Sequence, residues 1–320
     1  MAGVCNLPAR QRLATRVIAR VKQGNAPLFL VLLGCGLVWG LSFPLNKIAV
    51  SEGYRDFGII FWNQFICATL LSLICWQRGV WPGFKRDQIR LYLAVMLCGT
   101  LLPNWASYTA SVYLPAGVVA LLISLVPMFA FPIALAFGSE KFNWRRFAGL
   151  LTGMAAVLLI AGPEASLPDR AMVVFVPLAL IAPFLYGLES NLVAKWGDTG
   201  EGPVRVLLGA SILGSIASLP IALMTGTFIP PPTTWTAPDF AIVMASLINV
   251  IAYTGYVWLV GRAGAVFSAQ VAYIVTASGL LWSMLLLSES YSSYIWIALV
   301  LMMAGLFLVQ PRGNASAVGQ

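Results

Sequence analysis

Long apolar blocks separated by short polar gaps run along the whole of this 320-residue chain. Between Arg90 and Glu140 there is no Asp, Glu, Lys or Arg. The same holds between Arg262 and Glu289. A helix of about 20 apolar residues crosses the hydrocarbon core of a bilayer and satisfies its own backbone hydrogen bonds there. The pattern therefore predicts an all-α integral membrane protein.

Ten of the blocks are long enough to span a membrane. They cover residues 27–50, 57–77, 91–111, 116–138, 146–163, 171–194, 205–225, 240–260, 265–287 and 292–310. We expect residues 1–26 and 311–320 to be cytoplasmic tails. The basic first tail either lies on the inner leaflet as an amphipathic helix or is plain tail. Because the connections are too short to hold a soluble domain, the functional residues are expected on the spans themselves.

The cationic residues predict the orientation of the spans. The sequence carries 19 Lys and Arg against 11 Asp and Glu, a formal charge of +8. With a cytoplasmic N-terminus, the outer connections hold only Arg55 and Arg170, the first span holds Lys47, and every other cation is cytoplasmic. This is the positive-inside rule. It places both termini of a multi-pass inner-membrane protein inside and explains the basic excess without a nucleic-acid partner.

The composition excludes several other classes of function. Only 9% of the residues are charged, against about 25% in a soluble domain. There is no histidine, and none of the five cysteines has the spacing of a metal site. No cofactor, metal or catalytic residue is therefore expected, and neither a membrane enzyme nor direct drive by ATP through a Walker A motif is indicated. A channel is disfavoured because no charged or carbonyl filter signature occurs.

The two halves of the chain carry similar motifs. The aligned pairs are Asn104/Asn249, Tyr108/Tyr253, Val112/Val257, Trp39/Tyr186, Gly40/Gly187, Gly117/Gly264 and Glu140/Glu289. The members of each pair lie about 147 residues apart, as an internal duplication predicts. Since each half holds five spans, the second half enters the membrane from the opposite side. Residues 27–163 and 171–310 are thus predicted to form an inverted repeat with a binding site near the midplane between them.

Polar and aromatic side chains within the spans share helical faces. Polar groups there are costly unless they face protein or water, and residues three, four or seven apart lie on one side of a helix. The candidate substrate-binding residues are Trp39, Ser42, Asn46, Gln64, Asn104, Tyr108, Tyr186, Glu189, Asn249, Tyr253, Gln270 and Tyr273. A pocket of this kind suits a neutral, zwitterionic or aromatic small molecule. Hydrogen bonding between helices is the alternative role for each amide.

Glu189 is the only carboxylate inside a predicted span. One interpretation is contact with a substrate amine, or proton coupling. The other is a boundary carboxylate, because Lys195 marks the cytoplasmic end of the same span. Lys47 and Lys195 end spans one and six in matching places, and both are expected to snorkel to the interface. Contact with a substrate carboxylate is the alternative for Lys47.

Prolines and glycines mark possible bending points. Pro103, Pro115 and Pro127 flank or interrupt spans three and four, and proline removes a backbone donor and kinks a helix. Gly117 and Gly264 occupy matching places in the two halves. These five residues are predicted either to serve a gate or to form static kinks.

These motifs resemble those of EamA-type transporters in the drug/metabolite transporter superfamily. The similarity rests on Trp39-Gly40, Ser42-Phe43-Pro44 and Lys47 in span one, then on Asn104 through Tyr108, Ala116-Gly117, Pro127 and Glu140. It covers about residues 27–311, and the chain is most similar to YddG-type aromatic amino-acid exporters. Many relatives carry an arginine in span two, where this chain has Asn63-Gln64, so no cationic contact is carried over there.

The resemblance implies a basket of ten helices with spans five and ten at its periphery. Spans one, three, four, six, eight and nine would surround the cavity, and the hairpins of spans three–four and eight–nine would act as gates. It implies a secondary transporter that exports amino acids or related small metabolites across the inner membrane. A cavity enclosed by both halves favours a functional monomer. The alternative function is a multidrug or organic-cation exporter that uses Glu189 as a proton-exchanging acid.

Overall fold

The computed structural model of the chain describes residues 27–163, 166–197, 199–263 and 265–309. The two predicted tails and Gly264, one of the predicted bending points, lie outside the described residues. Within these residues the chain is helical and contains no strand.

Ten apolar helices follow the ten predicted spans. They are α1 (Pro27–Ser51), α2 (Asp56–Gln77), α3 (Arg86–Tyr113), α4 (Ala116–Ala136), α5 (Trp144–Ala161), α6 (Arg170–Trp196), α7 (Pro203–Met224), α8 (Ala237–Ala263), α9 (Val271–Leu287) and α10 (Ser293–Val309). The first eight are long and apolar enough to cross a membrane, and the last two are shorter but equally apolar. A short helix, Ala265–Ser268, precedes α9. The predicted ten-helix membrane fold is confirmed.

The connections alternate between two ends of the bundle. The end at which the described chain starts and stops is called the near end, and the opposite one the far end. At the far end the Tyr54 hydroxyl donates a hydrogen bond to Asp239 Oδ1 at 2.9 Å. Ser292 Oγ donates to the Ser166 carbonyl there at 3.0 Å. The positive-inside distribution predicts that the near end is cytoplasmic.

Two of the central helices contain breaks. In α3, residues Met96–Leu101 form a π-helical turn that ends just before Pro103. In α4, a turn separates Ala116–Ile123 from Val126–Ala136, and Pro127 lies in the first turn of the second segment. Proline is tolerated there because first-turn amides have no intrahelical acceptor. The helices are interrupted near Pro103 and Pro127, and a part of these prolines in gating stays a prediction.

Close approaches of glycine relate the two halves. A β-carbon on Gly40 of α1 would overlap the Ser278 side chain of α9. One on Gly187 of α6 would lie 2.9 Å from the Ala130 backbone nitrogen of α4. Gly40 and Gly187 are aligned residues. Each contact joins the first helix of one half, α1 or α6, to the fourth helix of the other half, α9 or α4. The contacts therefore have the pseudo-symmetry expected of an inverted repeat.

The larger helix contacts repeat the same relationship. α1 packs on α8 and α9, and α6 packs on α3 and α4. The most extensive contact of α5 is with α10, where a β-carbon on Gly149 would lie 2.8 Å from the Gly305 carbonyl oxygen. The six helices α1, α3, α4, α6, α8 and α9 thus contact one another across the two halves and position the candidate site.

Candidate substrate-binding site

Asn104 and Tyr186 meet where the two halves touch. The Tyr186 hydroxyl on α6 donates a hydrogen bond to Asn104 Oδ1 on α3 at 3.2 Å. Among the described residues, the Asn104 amide NH2 group has no acceptor. An amide whose oxygen is engaged still offers two N–H donors. Asn104 is therefore held in one orientation while its donors are available to a ligand.

Glu189 lies on the same helix as Tyr186 and close to α3. A β-carbon on Gly99, in the π-helical turn, would overlap the Glu189 carboxylate. The Glu189 side chain is half-buried, and neither a cation nor a hydrogen-bond donor of the described chain contacts it. The side chains of Tyr186 and Tyr253 lie near it. Since an unpaired carboxylate in a membrane protein requires water or a cationic ligand, the open side of Glu189 is a candidate ligand contact.

Glu189 is also well inside the bundle. It lies seven positions before Trp196, the last residue of α6 at the near end, which corresponds to about 10 Å along the helix axis. Lys195, by contrast, lies at that end, with its ammonium 5.2 Å from the centre of the Phe137 ring. The depth favours a role within the membrane over a boundary carboxylate.

Aromatic rings among the predicted site residues lie on α1 and α8. Trp39 packs edge-on against Tyr256, with ring centroids 6.2 Å apart. The Tyr253 hydroxyl donates to the Pro203 carbonyl at 3.4 Å, and its ring is half-buried. Aromatic faces attract ammonium groups and pack well against aromatic ligands.

Three of the predicted site residues are engaged within the protein. Ser42 is buried and donates to the Trp39 carbonyl of its own helix at 2.7 Å. Gln64 is buried and donates to Thr100 Oγ1 at 3.0 Å. Tyr108 is buried in an apolar cluster. In this conformation these side chains support the fold around Asn104, and their contact with a substrate stays a prediction.

Four further predicted residues are dispersed. Asn46 and Asn249 are half-buried on α1 and α8. The Tyr273 hydroxyl is buried and has no hydrogen-bond partner within the described residues. Gln270 is exposed just before α9. The structure therefore joins Asn104 and Tyr186 by a hydrogen bond, with Glu189 three residues after Tyr186 on α6, and leaves Gln270 exposed.

The π-helical turn is the feature that sequence reasoning missed. Glycine at position 99 and the nearby Pro103 were the only local signals. A π-helical turn inserted in an α-helix is frequent at functional sites. Here it brings the backbone of α3 against the Glu189 side chain.

Lys47 is bound to the end of α3 at the far end of the bundle. Its ammonium donates to the backbone carbonyls of Ser111, Val112 and Leu114 at 2.6, 3.2 and 3.0 Å. These contacts are at a helix end, and the snorkelling of Lys47 to the interface stays a prediction. Among the described residues no group of three His, Cys, Asp or Glu has the arrangement of a metal site.

A helical membrane bundle of two related halves, with polar and aromatic groups where the halves meet, has the architecture of a secondary transporter. The sequence matches the EamA-like transporter family over residues 27–162 and 174–310. The chain belongs to this family and is a multi-pass transporter of the inner membrane with a small-molecule substrate.

Several individual proteins are similar along most of their length. A probable terminal-alkyne amino-acid exporter of Streptantibioticus cattleyicolor is 25% identical over 286 residues, which cover 86% of this chain and 91% of that protein. The inner membrane transporter YedA of Escherichia coli, which is described as uncharacterized, is 24% identical over 296 residues, covering 88% and 90%. A crystal structure at 17% identity superposes with a TM-score of 0.58, covering 88% of this chain and 96% of the other. The last similarity concerns the fold alone.

Proposed function

We propose that this transporter exports aromatic or other neutral amino acids by alternating access. The observation that carries the proposal is the cluster of Glu189, Asn104 and Tyr186, in which a carboxylate without a cationic partner lies near an amide with free donors. An amino acid presents an ammonium, a carboxylate and a side chain. Glu189 would bind the ammonium, the Asn104 amide would donate to the carboxylate, and the tyrosine rings would contact the side chain. The relative named as an amino-acid exporter supports this substrate class.

Alternating access follows from the pseudo-symmetry. Asn104 belongs to the first half and Tyr186 with Glu189 to the second, so a substrate bound to all three bridges the halves. Rocking of the halves about this bridge would expose the site to one side at a time. The α3–α4 hairpin and its counterpart in the second half would carry that motion.

The test is uptake of radiolabelled phenylalanine or tryptophan into proteoliposomes of the purified protein, with and without an imposed pH gradient. Saturable uptake that excess unlabelled aromatic amino acid blocks is the expected result. Glu189→Gln should reduce uptake about tenfold or more, because it removes the charge that pairs with the ammonium. The matched control is Glu52→Gln, which neutralises an exposed carboxylate in the far-end connection. Uptake no greater than in empty liposomes would refute the proposed substrate class.

Export of organic cations is the second candidate, because the unpaired Glu189 would bind any cation whose apolar part fits the aromatic walls. It predicts uptake of labelled tetraphenylphosphonium that depends on the pH gradient and is lost in Glu189→Gln. It also predicts no competition by phenylalanine. Amino-acid uptake that does not change with the pH gradient would instead indicate that Glu189 binds substrate and does not exchange protons.

A further inference from the structure

The α3–α4 connection at the far end leaves two helix ends side by side. α3 ends at Tyr113, Leu114 and Pro115 are extended, and α4 starts at Ala116. The last carbonyls of a helix and its first amides have no intrahelical partner. They carry partial negative and partial positive charge respectively. A cation is thus favoured at the end of α3, and an anion at the start of α4.

Lys47 supplies the cation. Its ammonium lies on α1 and donates to three carbonyls at the end of α3, those of Ser111, Val112 and Leu114. An ammonium has three N–H donors, so this site uses its full capacity. Lys47 thereby joins α1 to the end of α3.

Glu289 supplies the anion, from the connection between α9 and α10 in the other half. Its Oε1 accepts from the Ala116 amide at 2.8 Å, and its Oε2 accepts from the Gly117 amide at 3.3 Å. Ser288 has left-handed backbone angles, φ 54° and ψ 29°. This conformation is uncommon for a residue other than glycine, and here it immediately precedes the residue that caps α4.

Tyr291 completes the arrangement. Its hydroxyl donates to Glu289 Oε2, and a β-carbon on Gly117 would overlap that hydroxyl. Burial and the hydrogen bond to Glu289 raise the pKa of Tyr291, which therefore stays protonated as a donor. Gly117 is thus required by the close packing of Tyr291 on the start of α4.

The equivalent residues at the near end are engaged differently. Lys195, which matches Lys47, lies over the Phe137 ring. Glu140, which matches Glu289, forms an ion pair with Arg146. Within the described part of the chain, neither bonds to the backbone at the end of α8. The two ends of the pseudo-symmetric bundle therefore differ. At the far end a lysine and a glutamate bind the α3–α4 connection, and at the near end the matching lysine and glutamate have other partners among the described residues.

We infer that Lys47 and Glu289 are positioning residues that keep the substrate path closed at the far end, and that both must release the α3–α4 connection before substrate leaves there. The inference rests on the proposed alternating access. The hairpin is held from α1 in its own half and from the α9–α10 connection in the other half. The hydrogen bonds of Glu289 join the two halves at the far end and must break before the halves separate there, and those of Lys47 hold the end of α3 on α1.

The test measures access to the far end without any substrate. A single cysteine is placed at Ser111, a buried residue on the same face of α3 as Asn104, in a protein whose five cysteines are replaced by alanine. The rate of reaction with a membrane-impermeant maleimide is then compared in right-side-out and inverted membrane vesicles. Lys47→Met and Glu289→Gln are each introduced into this background. Correct folding is checked by expression level and by size-exclusion chromatography.

We expect either substitution to raise the labelling rate from the far side by about tenfold or more, since each removes charge-assisted hydrogen bonds that favour closure. Lys195→Met and Glu140→Gln are the matched controls and should not raise it. An unchanged rate in a folded Lys47→Met or Glu289→Gln protein would overturn the inference, as would an equal rise in the controls. If one variant does not fold, the other decides. Because no substrate is involved, this result is independent of whether amino acids are the cargo.

Discussion

The Tyr186 hydroxyl of the second half donates a hydrogen bond to the Asn104 side-chain oxygen of the first half at 3.2 Å. The bond engages the Asn104 oxygen and leaves the N–H donors of its amide for a ligand. It also joins the two halves at a point through which a bound substrate would have to be released. In the proposed mechanism, Tyr186 and Asn104 belong both to the binding site and to the contact that alternating access rearranges.

Loss of the Asn104 amide should weaken substrate binding more than it weakens the fold. We expect Asn104→Ala to raise the concentration for half-maximal uptake of phenylalanine about tenfold, because hydrogen bonds to a charged carboxylate are lost. The matched control is Asn191→Ala. The Asn191 amide donates to the Ala130 and Gly187 carbonyls at 3.0 and 2.8 Å. That variant should lower thermal stability and leave half-saturation unchanged, and the opposite pattern would contradict the assignment.

A methyl group at position 99 should disturb Glu189 directly. Gly99→Ala places a β-carbon where the carboxylate lies, so uptake at low substrate concentration should fall roughly tenfold. Alanine has a higher helix propensity than glycine by about 1 kcal/mol, so helix destabilisation does not account for such a loss. Gly34→Ala is the control, because its β-carbon would meet nothing within 4 Å. Equal uptake by the two variants would show that the contact between Gly99 and Glu189 is unimportant.

The packing of Tyr291 on Gly117 predicts a second route to opening the far end. Gly117→Ala should displace the Tyr291 hydroxyl and weaken the cap that Glu289 forms on α4. The Ser111→Cys labelling rate should then rise severalfold, as for Glu289→Gln. Gly261→Ala, in the last turn of α8, adds a β-carbon to open space and should leave the rate as it was. A Gly117→Ala protein with normal labelling would show that Tyr291 contributes nothing to closure.

Glu201 should matter for stability and not for transport. Its Oε1 accepts from the Gly83 amide at 3.1 Å and from Gln88 Nε2 at 2.7 Å, and its Oε2 lies 3.0 Å from Arg205 Nε. Glu201→Gln should lower the free energy of unfolding by about 2 kcal/mol, the usual range for hydrogen bonds to a charged group. Thermal denaturation in detergent measures this.

The control for Glu201 is Glu52→Gln, whose exposed carboxylate should be dispensable. A Glu201→Gln protein of unchanged stability but altered substrate affinity would place this near-end network in the transport mechanism instead.

The sequence predicted the fold well because hydrophobic length and charge position are local properties. The ten spans, for example, appear as helices with nearly the same bounds. Helical spacing also predicted that Asn104, Tyr186 and Glu189 belong to one site. For Tyr186 and Glu189 the prediction came from the duplication, which relates the face of α6 to that of α1. Helical spacing did not predict how exposed Gln270 is just before α9, because periodicity identifies a face and not a depth.

The contacts of the charged residues were less predictable. The partners of Lys47 are backbone carbonyls at a helix end. No side-chain pattern in the sequence reveals such partners. The hydrogen bonds of Glu289 to Ala116 and Gly117 join residues far apart in the sequence. A single sequence contains no signal for such pairs.

The π-helical turn at Met96–Leu101 sets the rotational register of α3. A turn with i to i+5 bonding holds one residue more than an α-helical turn, and each residue corresponds to about 100° of rotation. Deletion of one residue there would restore a regular helix and turn the Arg86–Val95 segment by that angle relative to Asn104. The face of this segment on which Leu91 and Val95 are now buried would then be turned out of its packing in the bundle. A one-residue insertion thus sets the face that Arg86–Val95 packs on the bundle independently of the face of α3 that carries Asn104.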